Sequence, residues 1–139
     1  MDSPSSLDII EQQVKAYQTA LPVPDPAWPV DVRVLASAIC ARLVEPKLHL
    51  VELERQYGLR DHNIATQFRA CVEMTPKQYR LALQIGLAKR LLRHPALQET
   101  SLTQIALAVG FEPSAFSERF RKRMGCTPTA YRVLFKENV

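Results

Sequence analysis

The sequence predicts an all-α protein in which a long helix joins two similar helical units. Only four of the 139 residues are glycine, and the hydrophobic residues, 47% of the chain, recur at spacings of three and four. That spacing is the period of an amphipathic helix. Shifting the chain by 52 residues aligns positions 50–80 with positions 102–132 without a gap. Residues 77–93, between the two copies, contain no proline and suit one continuous helix.

The first 30 residues are predicted to form an amphipathic helix followed by a proline-rich linker. The apolar positions of this helix are Leu7, Ile10, Val14, Tyr17 and Leu21. Four prolines between positions 22 and 29 then prevent its continuation, since each proline removes a backbone donor. Dimerisation, regulation and simple packing are all open as roles for the helix.

Charge is divided unevenly along the chain. Residues 1–31 contain five acidic residues and a single basic one, Lys15, which is a formal charge of −4. Residues 32–139 carry +8. A basic domain of this size suits a polyanionic partner, although surplus lysine and arginine also serve solubility.

Residues 31–75 are predicted to form the first unit. Asp31 is expected to cap a helix whose apolar positions run from Val32 to Val44, and Pro46 stops it. A short helix follows, which Gly58 closes because glycine readily adopts the left-handed conformation of a helix C-terminus. The residues predicted to face inward from the short helix, the turn and the second helix are Leu50, Leu53, Tyr57, Leu59, Ile64, Phe68 and either Cys71 or Val72.

Residues 76–94 are predicted to form the connecting helix. Pro76 suits its first turn, and the His94-Pro95 pair ends it. At the rise of an α-helix, the connection is on the order of 25 Å long.

Residues 95–139 are predicted to form the second unit, which repeats the first. Its predicted inward-facing and turn residues are Leu102, Ile105, Val109, Gly110, Phe111, Phe116, Phe120 and Met124. Each copy is a short helix, a glycine turn and a second helix, which is the helix-turn-helix arrangement. The connecting helix is long enough to hold the two second helices about one DNA turn apart, roughly 34 Å.

The second copy also resembles a known family. The matching residues are Gly110-Phe111, Ser114, Phe116, Phe120, Lys122, Gly125, Thr127-Pro128 and Tyr131-Arg132. They resemble the C-terminal signature of the AraC/XylS regulators, and residues 32–135 as a whole are similar to that family's DNA-binding domain. The resemblance implies a homeodomain-like, AraC-type tandem fold. It also implies a bacterial transcription factor, often an activator, which binds promoter or operator DNA in two adjacent major grooves and contacts RNA polymerase.

The sequence departs from the family pattern at four positions. Glu54 and Glu73 stand where the family usually has alanine and glycine, and Gln84 replaces a commonly basic residue. Glu118 replaces an arginine typical of the second recognition helix. In addition, the turn from Gly110 to Phe116 is one residue shorter than in the family.

The outward faces of the two second helices supply the candidate base contacts. A step of 100° per residue places these residues opposite or beside the buried ones. The candidates are His62, Asn63, Ala65, Thr66, Ser114, Ser117 and Glu118. Asparagine can bind an adenine edge with two hydrogen bonds, and a glutamate can accept from a cytosine amino group. The alternatives are a solvated polar face and, for Glu118, a salt bridge to a neighbouring arginine.

Basic side chains and helix starts supply the candidate phosphate contacts. These candidates are Arg69, Thr75, Arg80, Arg121, Lys122, Arg123, Thr127 and Arg132. Contacts of this kind give affinity without reading bases. Each Thr-Pro pair is equally a structural helix start, and Arg80 and Arg132 can instead pair with local carboxylates.

Other classes of function find no support in the sequence. No catalytic constellation, phosphate-binding glycine loop or zinc-ligand spacing is present, so we expect no enzyme activity, metal or cofactor. The three scattered cysteines suggest reduced thiols, and no small-molecule site or membrane segment is expected. The expected location is the cytoplasm, at the nucleoid. The main alternative is a protein-interaction module that keeps the fold but binds DNA weakly or not at all, which the glutamates at positions 54, 73 and 118 suggest.

Overall fold

The computed structural model describes residues 4–59 and 63–137, and every α-helix within these ranges packs against at least one other helix. The helices are α1 (Ser6–Ala20), α2 (Val30–Ala41), α3 (Leu50–Gln56), α4 (Ile64–Val72), α5 (Pro76–Arg93), α6 (Leu102–Val109), α7 (Pro113–Met124) and α8 (Pro128–Glu137). A 3₁₀ turn at Pro95–Leu97 follows α5. The predicted all-α fold class is confirmed. None of the helices in these ranges is long and apolar enough to cross a membrane.

Helix α1 is packed against the rest of the molecule. Ser5 and Asp8 form a capping box at its start, and Ile10 is buried with the residues of the second unit. The Tyr17 hydroxyl donates to the carbonyl of Leu83 in α5 at 2.9 Å. Of the roles left open for this helix, packing is the one that these contacts support.

The first unit surrounds a core between α2, α3 and α4. Leu35, Ile39, Leu53 and Phe68 are each fully buried there. Helix α2 differs from the prediction at both ends. It starts at Val30, after Pro29, and no side chain caps it, so Asp31 lies in its first turn rather than at the cap.

Helix α2 also ends earlier than predicted, at Ala41, and the chain continues through a turn to Val44. The prediction that Tyr57 faces inward is also wrong. It follows the last turn of α3 and is 48% exposed, because the helix ends at Gln56 and the tyrosine no longer lies on its inner stripe. Leu59 fills the turn as predicted and is buried.

The second unit has a core rich in aromatic rings. Phe116 lies 5.9 Å from Phe120, and Phe120 lies 5.5 Å from Tyr131 in an edge-to-face arrangement, measured between ring centroids. Such contacts add to the hydrophobic gain from burying the rings. Ile105 and Val109 of α6 are fully buried against this set.

Helix α5 holds the two units in a fixed relation. Thr75 caps it through a capping box with Gln78. One turn further, Arg80 donates to the carbonyls of Leu43 and Glu45, just after α2. Gln84 is buried and its amide donates to the carbonyl of Val109 in the second unit at 3.0 Å. A neutral amide suits this departure from the family because a charge buried here without a partner of opposite sign would be costly.

A direct contact between the units adds to these hydrogen bonds. Gly110 ends α6 with φ 92°, and a Cβ there would lie 2.9 Å from the carbonyl oxygen of Val44. The side chain of Val44 packs against the second unit's core. The segment after α2 therefore contacts both α5 and the end of α6.

Candidate nucleic-acid interface

Helix α4 presents a polar face to solvent. Ile64 and Phe68 are buried, whereas the predicted contacts on the other sides of the helix are exposed. Those exposed residues are Asn63, Ala65, Thr66 and Arg69. Asn63 occupies the N-cap position of α4. His62 lies outside the described residues.

Helix α7 presents an equivalent face, at the position that the repeat predicts. Phe116 and Phe120 are 1% and 0% exposed, so the helix cannot turn its other side outward. The exposed predicted contacts are Ser114, Ser117, Glu118, Arg121, Lys122 and Arg123. Gly125 then ends the helix in the left-handed conformation.

Glu118 is paired on this face. Its carboxylate lies 3.3 Å from Nζ of Lys122, one helical turn away, and both side chains are more than 60% exposed. The salt bridge that the sequence offered as the alternative role of Glu118 is therefore present, with a lysine rather than an arginine as its partner. An exposed i,i+4 pair contributes only about 0.3–0.5 kcal/mol, so DNA or another partner can break it at little cost.

The two threonines at predicted phosphate sites cap helices. Thr75 accepts from the backbone of Gln78 at 3.1 Å, and Thr127 accepts from the backbone of Ala130 at 3.1 Å. Thr127 is exposed and Thr75 is half-buried. Both stand at the N-terminus of a helix, the end at which the helix dipole favours an anion.

The two arginines aligned by the repeat differ in their surroundings. Arg80 is half-buried, and its guanidinium makes three hydrogen bonds to main-chain carbonyls 2.8–3.2 Å away. Burial lowers the pKa of Arg80. Arg80 thus has a structural role through Nε and Nη2, and its role as a phosphate contact stays a prediction.

Arg132 has buried donor atoms that are not hydrogen-bonded to the described residues. Its Nε and Nη2 atoms are buried, and they have no hydrogen-bond partner within the described part of the chain. Burial lowers the pKa of Arg132, and the nearby charge of Glu99 opposes that shift. The sequence offered a pairing of Arg132 with a local carboxylate as one alternative. Glu99 is close enough to influence Arg132, but the two form no ion pair.

A groove between the two units contains basic residues that the sequence reasoning missed. Its volume is about 740 Å³, and its floor is the face of α5 that carries Lys77, Arg80, Leu81 and Gln84. Lys47 lies on the side of the first unit and Arg119 on the side of the second. The helical period could have indicated Arg119, which lies beside the stripe of Ser114 and Glu118. Only the tertiary fold brings Lys47 and Lys77 to the same place.

Metal chemistry finds no assembled site in the ranges that the structure describes. There, no three His, Cys, Asp or Glu side chains lie close enough together to hold an ion. Cys40, Cys71 and Cys126 are free thiols, each partly buried.

Known proteins share both the sequence and the fold. A family model described as a helix-turn-helix domain matches residues 53–133. The HTH-type transcriptional regulator CdhR of Pseudomonas aeruginosa is 34% identical over 94 residues, which are 67% of this chain and 27% of that protein. The HTH-type transcriptional activator RhaR of Mannheimia succiniciproducens is 32% identical over 108 residues, 76% of this chain and 38% of that protein. The chain thus spans well under half the length of these relatives.

The fold is also similar to that of solved structures. The crystal structure of a DNA-binding transcriptional dual regulator from Escherichia coli K-12 matches with a TM-score of 0.65 and 18% identity. The match covers 81% of this chain and 98% of that one. At this identity the likeness concerns the fold alone.

Proposed function

Because the chain belongs to the AraC-type helix-turn-helix family of transcriptional regulators, we propose that it binds promoter or operator DNA through α4 and α7 together. Each helix enters a major groove, and the two grooves are adjacent on one side of the duplex. The observation that carries this proposal is the pair of repeat-related helices, each with aromatic or aliphatic residues buried behind an exposed polar face.

The fixed relation between the units supports simultaneous binding. The hydrogen bonds of Arg80 and Gln84, together with the contact of Gly110 with Val44, resist relative movement. The conformational cost of aligning two readers is therefore met when the protein folds, not when it binds.

Base reading is proposed for the exposed faces. In α4, Asn63 and Thr66 read bases beside the small Ala65, and His62 remains a proposed contact. In α7, Ser114, Ser117 and Glu118 are the proposed readers. Glu118 selects a cytosine amino group if it releases Lys122, which then turns to a phosphate.

Phosphate binding is proposed for the flanks. Arg69 and Arg121 occupy equivalent positions in the repeat and are both exposed, and Lys122 and Arg123 extend the basic flank of α7. Thr75, Thr127 and Arg132 contribute at the starts of α5 and α8, where the helix dipoles favour an anion.

We propose that the protein regulates transcription as an activator that contacts RNA polymerase. We expect it to have no enzyme activity. RhaR is named as a transcriptional activator, which supports the direction of the effect. The competing function is a protein-interaction module of the same fold. The exposed glutamate at position 118 in the proposed recognition face favours that alternative.

In vitro selection of duplexes, followed by affinity measurements over a range of salt, separates the two functions. The regulator should enrich a defined sequence and bind it at least a thousandfold more tightly than random duplex. An interaction module should enrich no sequence.

Two variants test the assignment of the faces. Arg121→Ala should weaken binding to all duplexes and lower the salt slope by about one. Asn63→Ala should change the preferred base at one position, at a cost of about 1–3 kcal/mol in discrimination. Gln12→Ala on α1, also an exposed amide, is the matched control and should leave binding unchanged. If Asn63→Ala weakens every sequence equally, the assigned orientation of α4 is wrong.

A further inference from the structure

The groove between the units, called here the interunit groove, is basic on all three of its sides. It is bounded by the segment from Pro46 to Val51, by the first turns of α5, and by residues from Leu107 to Arg119. Its charged lining consists of four cations and the single carboxylate of Glu112. Like charges that converge in this way leave an excess of positive potential, which an anion must neutralise.

Three of the four cations are available for a ligand. Lys47, Lys77 and Arg119 are exposed, and no hydrogen bond or ion pair holds them within residues 4–59 and 63–137. The fourth, Arg80, uses its Nε and Nη2 donors on main-chain carbonyls at the floor of the groove. The three available cations come from three different segments, so only the assembled fold brings them together.

The proposed binding mode places a duplex across both units, and the groove lies between them. Two major grooves on the same side of a duplex are separated by about one helical turn, and the sugar-phosphate strands cross the space between them. Ala115 and Arg119 line the groove from the side of α7. They are directly beside the stripe of Glu118 and Lys122, which faces the proposed major groove.

We infer that the interunit groove is a third DNA contact, in which Lys47, Lys77 and Arg119 bind the phosphates between the two major grooves. The inference rests on the proposed function and adds a contact that neither recognition helix provides. Its size supports a stretch of backbone rather than one ion, since about 740 Å³ exceeds the space that a single phosphate group needs.

A protein segment is the competing occupant, because Val51 and Leu107 in the groove lining are 51% and 57% exposed. Charge favours DNA. The cations surround these two apolar side chains on every segment of the lining, and the surplus of positive charge matches a polyphosphate strand.

The test uses charge-neutralising variants with the fold preserved. Lys77→Gln and Arg119→Gln remove charge from exposed, unpaired side chains. Lys47→Asn is preferred to glutamine because Lys47 has φ 57°, a conformation that asparagine tolerates well. Lys15→Gln, an exposed cation on α1, is the matched control, and circular dichroism verifies that each variant remains folded.

Affinity is measured by fluorescence anisotropy at several salt concentrations, on the selected duplex and on random duplex. Each groove variant should bind both about three- to tenfold more weakly, and its slope of log K against log salt should fall by about 0.9. Lys15→Gln should keep the slope of the parent protein. If all three groove variants also keep the salt slope of the parent protein, the inference is overturned, and a protein segment becomes the favoured occupant of the groove.

A second measurement locates the contact on the DNA. The selected duplex is made with uncharged methylphosphonates at its central phosphates, between the two grooves. The parent protein should lose affinity on this duplex, whereas the triple variant should lose little more, since the interacting charges are already absent. Equal losses for both proteins overturn the inference. Failure of the proposed function is distinguishable, because the parent protein would then enrich no duplex at all.

Discussion

Replacing Gly110 with alanine will destabilise the protein more than the same change at Gly58 or Gly125. All three glycines have positive φ, at 92°, 69° and 79°, so alanine costs about 1 kcal/mol at each. Within residues 4–59 and 63–137, the new Cβ meets other atoms at Gly110 alone of the three, namely the carbonyl oxygen and carbon of Val44 at 2.9 and 3.0 Å. These are main-chain atoms, which cannot rotate away as the end of a side chain can.

The expected loss is therefore about 3 kcal/mol for Gly110→Ala and about 1 kcal/mol for Gly58→Ala and Gly125→Ala. Urea unfolding followed by circular dichroism measures all three values. Among the described residues, the two controls have nothing within 4 Å of the added methyl group, so the difference isolates the contact between the units. Equal losses, within about 0.5 kcal/mol, would refute the reasoning.

Two further substitutions test local features. Glu73→Gly should raise stability by roughly 0.5–1 kcal/mol in thermal unfolding, because Glu73 ends α4 at φ 66°, where glycine is unstrained; an unchanged or lower midpoint would contradict this. Gly86→Ala should cost about 1 kcal/mol, since the added methyl group meets the Tyr17 hydroxyl and displaces its hydrogen bond to Leu83; this loss outweighs the roughly 0.5–1 kcal/mol that alanine gains over glycine inside a helix. Adding Tyr17→Phe to Gly86→Ala should then lower the free energy of unfolding little further. A further loss as large as that of Tyr17→Phe alone would show that the hydrogen bond survived in Gly86→Ala.

Most of the fold was predictable because its determinants are local. The period of three and four residues correctly predicted that Ile64, Phe68, Phe116 and Phe120 are buried. Glycine at the end of α6 predicted the left-handed turn that the structure contains. These features depend on residues within one or two turns of helix, which a single sequence displays directly.

The parts that the sequence did not predict depend on distant residues. Arg80 and Arg132 occupy the same repeat position, yet only Arg80 meets the carbonyls of Leu43 and Glu45. That difference arises because the segment after α2 passes beside α5, whereas Arg132 lies in α8 near Glu99. A repeat predicts equivalent local structure, but the neighbours of each copy are not equivalent.

The same stripe of α5 joins the units and forms the floor of the interunit groove. Lys77, Arg80, Leu81 and Gln84 occupy positions i, i+3, i+4 and i+7, so they lie on one side of the helix. Arg80 binds the first unit and Gln84 binds the second. Any change that loosens either bond therefore alters both the separation of α4 and α7 and the position of Lys77. Specific DNA binding, which needs both readers in register, should then fall more than random binding, which needs only charge.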